Sequence, residues 1–265
     1  MIRMVGMCSQ HIPRFQEENL DYPVYENETL EDLQLSGLKL IQRKDSFRFG
    51  MDSVLLAHFS DIRKKDTVAD FGTGNGILPL LLYGRGKGEK YYAFDIQKEA
   101  AELAQRNAVL NHLEDKMKVI NADAGCADQY LAPCSIDAVI CNPPYAHPGM
   151  ALSSPYETKA IARNQKVDTL AKMFTGAFRI LKGRGKLFLV YPAPQMLHIM
   201  KKLQEYHLEP KKIQLVYPKA EKPANLALIE AVKDAKPMLH PLPPLIIYNE
   251  DGTLTNKLKS VYHMI

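Results

Sequence analysis

The segment Val68-Ala69-Asp70-Phe71-Gly72-Thr73-Gly74-Asn75-Gly76 decides how this chain folds. A short apolar run from Thr67 to Phe71 reads as a strand, three glycines follow at alternate positions, and an apolar helical pattern starts at Ile77. Strand, glycine turn and helix together open a βαβ unit. The glycines let the backbone turn sharply and come close to a ligand with no Cβ in the way. Pro79 falls in the first helical turn, where its missing N–H costs little.

Further apolar runs lie on the C-terminal side, at Tyr91–Asp95, Met117–Asn121, Ile136–Cys141, Lys186–Tyr191, Lys212–Tyr217 and Ala227–Ala231. Helical patterns, among them Lys98–Leu110 and Val167–Leu181, separate most of them. This alternation predicts an α/β fold, a Rossmann-like sheet of seven strands, mostly parallel and covered by helices on both faces. The last two runs are joined by Pro218–Asn225, too short for a crossover helix, so they should form an antiparallel C-terminal hairpin at the sheet edge.

Four stretches follow. Residues 1–20 are polar and aperiodic and read as a disordered lead. Residues 21–60 form an N-terminal lead-in segment that ends in Phe49–Ala57, where Asp52 or Ser53 is placed to cap a short apolar helix. Residues 61–232 carry the sheet. Residues 233–265 form a tail whose proline-rich start, Pro237–Pro244, favours an extended path around the domain, with a turn at Asp251-Gly252.

Composition bounds the function. At 265 residues, with 46% hydrophobic and 24% charged residues, the chain can bury a core without disulfide or metal staples. Cys8, Cys126, Cys134 and Cys141 form no CxxC pair, so neither a zinc site nor any other metal is expected. The sequence has no signal peptide or membrane-length apolar run, so the expected location is cytoplasmic, with reduced thiols and no membrane partner. A net charge of +4 permits a nucleic-acid partner without requiring one.

The glycine spacing narrows the ligand. A dinucleotide site reads G-x-G-x-x-G and rests a pyrophosphate on the helix N-terminus. Here Gly72, Gly74 and Gly76 run G-x-G-x-G, preceded by Asp70, whose charge repels phosphate and suits the ammonium group of S-adenosylmethionine. Asp95, followed by Ile96, ends the second strand, where an acid binds ribose hydroxyls. Asp123, followed by Ala124, ends the third and is placed to accept a hydrogen bond from an adenine amine. Any one of these is as easily a surface turn aspartate. Three at consecutive strand ends favour the cofactor.

The fourth strand ends in Asn142-Pro143-Pro144-Tyr145. As a plain turn this is an ordinary Asn-Pro pair, but its position at the cofactor rim suits transfer to a planar NH₂ group. Such a nitrogen is a poor nucleophile because its lone pair is delocalised, and it needs two acceptors more than a strong base. The Asn142 side-chain oxygen and the Pro143 carbonyl can be those acceptors. The prolines fix the backbone, and Tyr145 can stack on the substrate plane.

These residues resemble the class I methyltransferases with an NPPY motif, and among them the bacterial tRNA1(Val) adenine-N6 methyltransferases. Phe49–Ala57, Asp70–Gly76, Asn142–Tyr145 and Tyr217–Asn225 carry the resemblance, which runs over about Leu30 to Ile265. It implies S-adenosylmethionine as cofactor, tRNA as partner, and N6 methylation of the adenosine 3′ of the anticodon in a valine tRNA. The family usually reads Ala-Arg-His-Glu after the NPPY loop. This chain retains Arg163 but continues with Asn164-Gln165. Arg163, Lys219 and Lys222 are candidates for phosphate contacts, or else part of a solvated basic surface.

Three readings compete with RNA methylation. Glutamine-amide methylation of a release factor uses the same NPPY chemistry but with a helical N-terminal domain, for which the region before Thr67 is short. A DNA adenine enzyme needs a target-recognition domain. A non-catalytic cofactor-binding module is disfavoured by the intact Asn142–Tyr145 motif.

Overall fold

The computed structural model describes residues 24–44, 50–143 and 169–262. An antiparallel hairpin of β1 (Glu28–Asp32) and β2 (Lys39–Arg43) is followed by α1 (Met51–Phe59). The central unit then runs β3 (Thr67–Phe71), α2 (Ile77–Gly84), β4 (Lys90–Asp95), α3 (Lys98–Leu110) and β5 (Met117–Asn121), with a 3₁₀ turn at Ala124–Gln129 and β6 (Ile136–Cys141). After α4 (residues 169–180) come β7 (Leu181–Pro192), α5 (Met196–Glu205), β8 (Leu208–Tyr217) and β9 (Leu226–Lys233). The tail adds β10 (His240–Pro241), β11 (Leu245–Ile246) and α6 (Asn256–Val261).

The main sheet is ordered β5-β4-β3-β6-β7-β9-β8. All neighbours from β5 to β7 are parallel, and β9 is antiparallel to both β7 and β8. The mostly parallel Rossmann-like sheet and its antiparallel hairpin are therefore present as expected. The tail does more than wrap, since β10 and β11 pair in parallel with the outer side of β8 and extend the sheet there.

The strands alternate between two cores, as a parallel sheet buried on both faces must. Val68, Tyr91, Ile140, Phe188 and Val190 pack on one side with Leu55 of α1 and Leu80 of α2. Ala69, Phe71, Val139, Leu187 and Leu189 pack on the other with Phe174 of α4 and Ile199 of α5. By this alternation Asp70 and Asn142 belong to the α1 side. The tail closes the same side, with Leu258 and Val261 of α6 buried in that core.

Two local expectations are corrected. Neither Asp52 nor Ser53 caps α1. Gly50 occupies the N-cap with no side-chain cap, and its carbonyl accepts from the Ser53 N–H. Ser53 is thus carried inside the helix and buried. Strand β7 begins five residues before the expected Lys186, because an irregularity in its pairing with β6 lets Leu181 pair with Ile136 while Lys186 pairs with Ala138.

A buried side chain of α3 helps to hold the β1–β2 hairpin, beside the Arg106–Glu28 ion pair and the Asn111 amide on Lys39. Asn107 of α3 accepts from Ile41 N–H at 2.7 Å and donates to the carbonyls of Ile41 and Asn75, both at 2.8 Å. The N-terminal hairpin, α3 and the glycine turn are thereby tied into one unit.

Candidate active site

Strand order reverses between β3 and β6, and in open α/β sheets ligands bind outside the carboxyl ends of the strands at this switch point. A cavity of about 550 Å³ lies there. The ends of all four central strands reach it: Gly72–Asn75 after β3, Asp95–Gln97 after β4, Ala122–Ala124 after β5, and Asn142 and Pro143 after β6. Ser53 of α1, Arg43 of β2, and Lys172 and Met173 of α4 complete much of the wall.

The glycine turn is stapled to the neighbouring strand. Gly72 N–H and Thr73 N–H both donate to the Phe94 carbonyl at 2.9 Å, and Gly74 N–H donates to Asp95 Oδ2 at 2.8 Å. Gly74 and Gly76 serve different ends. Gly74, at φ +59°, borders the cavity, and a Cβ there would meet no atom within 4 Å. Gly76, at φ +82°, does not line the cavity. A Cβ on it would come within 2.8 Å of the Met117 side chain and 3.4 Å of Ala104, so it lets α2 start close against α3 and β5.

Of the acids, Asp95 and Asp123 line the cavity. Asp95 Oδ1 accepts from Gln97 N–H at 2.9 Å, so both its oxygens are oriented by backbone donors. Asp123 Oδ1 accepts from Gly125 N–H at 2.8 Å, capping the 3₁₀ turn, while Oδ2 lies 3.8 Å from Lys172 Nζ. Asp70 is placed differently from the sequence expectation. It is 1% exposed, lies behind the glycine turn, and is not part of the cavity wall. Neither of its oxygens makes a hydrogen bond of ordinary geometry. Burial pushes its carboxyl up to about 7. The Thr73 hydroxyl opposes that shift, and the Asp95 charge adds to it.

Ile96 lines the cavity and is 67% exposed, an apolar residue beside Asp95, while Ala124 is buried beside Asp123. Asn142 Nδ2 donates to Ser53 Oγ at 3.3 Å across 89 residues of chain. Burial pushes the adjacent Cys141 thiol up, with the Asp70 charge contributing, so it is a packed small residue and not a nucleophile. Pro144, Tyr145 and Arg163 lie outside the described residues. Lys219 and Lys222 sit in the β8–β9 turn, away from the cavity wall, and Lys219 Nζ donates to the Glu250 carbonyl at 2.8 Å, joining the turn to the tail.

Sequence reasoning missed Ser53, Arg43, Lys172 and Met173. The first was read as a cap, and the others lie on elements whose approach to the cavity no local pattern reveals. Among the described residues no cluster of His, Cys, Asp or Glu could hold a metal ion, and no helix is long and apolar enough to cross a membrane.

A sheet of this order with an acid-lined cavity at its switch point is that of the Rossmann-like methyltransferases. The chain belongs to one family of them: residues 50–212 match the family described as "Methyltransferase small domain". Among curated proteins it is similar to a tRNA1(Val) (adenine(37)-N6)-methyltransferase of Flavobacteriaceae bacterium strain 3519-10, 29% identical over 153 residues, or 58% of this chain. That match spans 63% of the relative's length. A protein of the same name from Aliivibrio salmonicida is 26% identical over 216 residues, covering 80% of this chain and 88% of the relative.

Solved structures agree on the fold. A predicted O-methyltransferase from Agrobacterium tumefaciens superposes with a TM-score of 0.63 at 22% identity, covering 80% of this chain and 96% of its own. The M. jannaschii TYW2 protein, solved in complex with AdoMet, gives a TM-score of 0.53 at 17% identity over 78% and 86% of the two chains.

S-adenosylmethionine is the cofactor of such methyltransferases, and the residues present fit it. The volume lies in the range of small-molecule sites. The open space at Gly74 accepts close approach of a ligand, and Asp95 and Ile96 offer a carboxylate next to an apolar face. The buried carboxyl of Asp70 and the hydroxyl of Thr73 make no hydrogen bond of ordinary geometry, and Thr73 lies on the cavity wall.

Proposed function

We propose that this protein transfers a methyl group from S-adenosylmethionine to the N6 amine of an adenosine in RNA, the position 3′ of the anticodon of a valine tRNA. The observation that carries the reading is the sharing of one cavity by Asn142 and Pro143 with Gly74, Asp95 and Asp123. A site for a planar NH₂ group and a site for the cofactor are thus contiguous. The printed names of the relatives support adenine in tRNA as the target.

When bound, S-adenosylmethionine supplies a methyl group on a positively charged sulfur. The chain's own residues bind and orient. Asp95 takes the ribose hydroxyls, Ile96 and Ala124 flank the adenine, and Asp123 accepts from its amine. Gly72 and Gly74 admit the methionine end, and Gly76 holds the turn in place. Asp70 lies behind the turn, where a bound cation at the methionine end would favour its ionised form.

At the target, the Asn142 side-chain oxygen and the Pro143 carbonyl accept the two N–H bonds of the amine and favour a tetrahedral nitrogen. Pro144 restricts the backbone, and Tyr145 stacks on the base. The nitrogen gives up one proton to solvent after transfer, so no strong base is required. An anticodon-loop base needs little unpairing to enter, which suits a chain of this size. Arg163, Lys219 and Lys222 are the candidates for phosphate contacts. Residues 61–232 form the catalytic unit, with 21–60 and 233–265 flanking it, and the protein acts in the cytoplasm.

Incubation with labelled S-adenosylmethionine and, separately, total tRNA, ribosomal RNA, DNA and release factor tests the reading. Label in tRNA is expected, and label in release factor alone overturns it. Asn142→Ala is expected to lower transfer by about 100-fold while the cofactor Kd measured by calorimetry is unchanged. Loss of cofactor binding in that variant would count against the role assigned to Asn142.

A further inference from the structure

We infer that Ser53 is a positioning residue: its hydroxyl holds the Asn142 side-chain amide so that the amide oxygen is left for the substrate amine. The inference rests on the proposed methyl-transfer reading and adds a residue to it.

Ser53 is 3% exposed, inside a helix whose buried residues run Ser53, Val54, Leu55, Leu56 and Ala57. A hydroxyl in such surroundings needs a partner, because an unpaired buried polar group is destabilising. Its described partner is Asn142 Nδ2, at 3.3 Å. Both residues line the cavity. A primary amide has one accepting end and one donating end. With Nδ2 turned to Ser53, Oδ1 is not used in that contact, and an acceptor is what an N–H of the target amine requires. The reversed amide would present N–H groups to an NH₂ group that is itself a donor.

The placement follows from the fold. Asn142 ends β6 on the α1 side of the sheet, and the Gly50 N-cap carries Ser53 into the first turn of α1 above it. Removing the hydroxyl leaves Nδ2 without this acceptor and removes the reason for the amide to keep its orientation.

The test uses the full chain, ¹⁵N-labelled, with Ser53→Ala, Ser53→Thr and Asn142→Ala. The Asn142 side-chain NH₂ signals are identified by their loss in Asn142→Ala. In Ser53→Ala these signals are expected to shift, kcat to fall roughly tenfold, and the cofactor Kd and unfolding midpoint to stay close to wild type. Ser53→Thr, which keeps the hydroxyl, is expected to restore most of kcat. In the Asn142→Ala background, adding Ser53→Ala should change kcat no further, since the two act as one unit. Unmoved NH₂ signals in Ser53→Ala, or an unchanged kcat despite moved signals, would overturn the inference. If the wild-type protein labels no tRNA, the substrate reading fails while the NH₂ signals still decide the Ser53–Asn142 contact.

Discussion

Gly74 N–H donates to Asp95 Oδ2 at 2.8 Å, so the acid at the end of β4 also holds the glycine turn at the end of β3. The carboxylate joins the Phe94 carbonyl in tying together the two strand ends that flank the cavity, with its second oxygen on Gln97 N–H. The geometry of the turn and the charge of the site are therefore not separable at Asp95. Asp95→Ala should weaken cofactor binding by about tenfold or more, since a charge-assisted hydrogen bond is worth roughly 1.5–3 kcal/mol. Asp95→Asn, which keeps one acceptor oxygen, should fall between the two. Titration calorimetry with the cofactor measures both, and equal affinity in Asp95→Ala and wild type would remove Asp95 from the site.

Asp70 makes stability depend on pH in a direction opposite to most carboxylates. Its pKa is raised from 3.8 to about 7 by burial, so between these values the folded state holds a proton that the unfolded state has lost. Stability contributed by this group is full below pH about 4, declines as pH rises, and is lost above pH about 7. Asp70→Asn removes the titration, so its unfolding free energy should decline less than that of wild type between pH 5 and 8. The difference should reach the order of a few kcal/mol. Urea titrations at several pH values give the two curves. Parallel curves would show that Asp70 ionises normally.

How much of this was legible follows the range of the interactions. Strands β3, β5 and β6 begin and end where the apolar runs do, because the central strands β3 and β6 are buried along most of their length and the edge strand β5 still buries Met117 and Ile120. Asp95 and Asp123 were legible because strand ends at the switch point are where this fold places ligand groups. The β1–β2 hairpin was not. Its residues Glu28–Asp32 and Lys39–Arg43 are half polar, and its buried side is completed by Asn107, more than sixty residues away. Ser53 was misread for the same reason, since a serine before an apolar run looks like a cap until the strand that supplies Asn142 is in place. The position of Asp70 behind the turn, and not on the cavity wall, depends on the pleat of β3 and on how the turn folds over it.

Asn107 offers a test of that long-range assembly. It is fully buried, and its amide serves three backbone groups, Ile41 N–H and the carbonyls of Ile41 and Asn75. Asn107→Ala leaves all three without this partner, with an expected loss of about 2–4 kcal/mol in unfolding free energy. Because Asn75 belongs to the glycine turn, cofactor affinity should fall as well. A substitution that lowers neither would mean that the hairpin and the turn are held without Asn107, by the other α3 contacts of Arg106 and Asn111.

Gly176 carries the same logic to the other wall of the cavity. It lies in α4, where the helix crosses the Asp123–Gly125 turn, and a Cβ on it would stand 2.0 Å from the Ala124 carbonyl oxygen and 3.0 Å from its carbon. The obstacle is backbone and cannot rotate away, so in Gly176→Ala the helix or the turn must move. Overpacking of this kind costs about 1–3 kcal/mol, against which the better helix propensity of alanine returns up to roughly 1 kcal/mol. The turn that moves carries Asp123 and Ala124, while Lys172 and Met173 line the cavity from the same helix. Gly176→Ala should therefore lower the urea midpoint and weaken cofactor binding together, with the Asn142 side-chain signals unchanged on the far side of the cavity. A variant as stable as wild type, with full cofactor affinity, would show that α4 can draw back from Ala124 without disturbing the site.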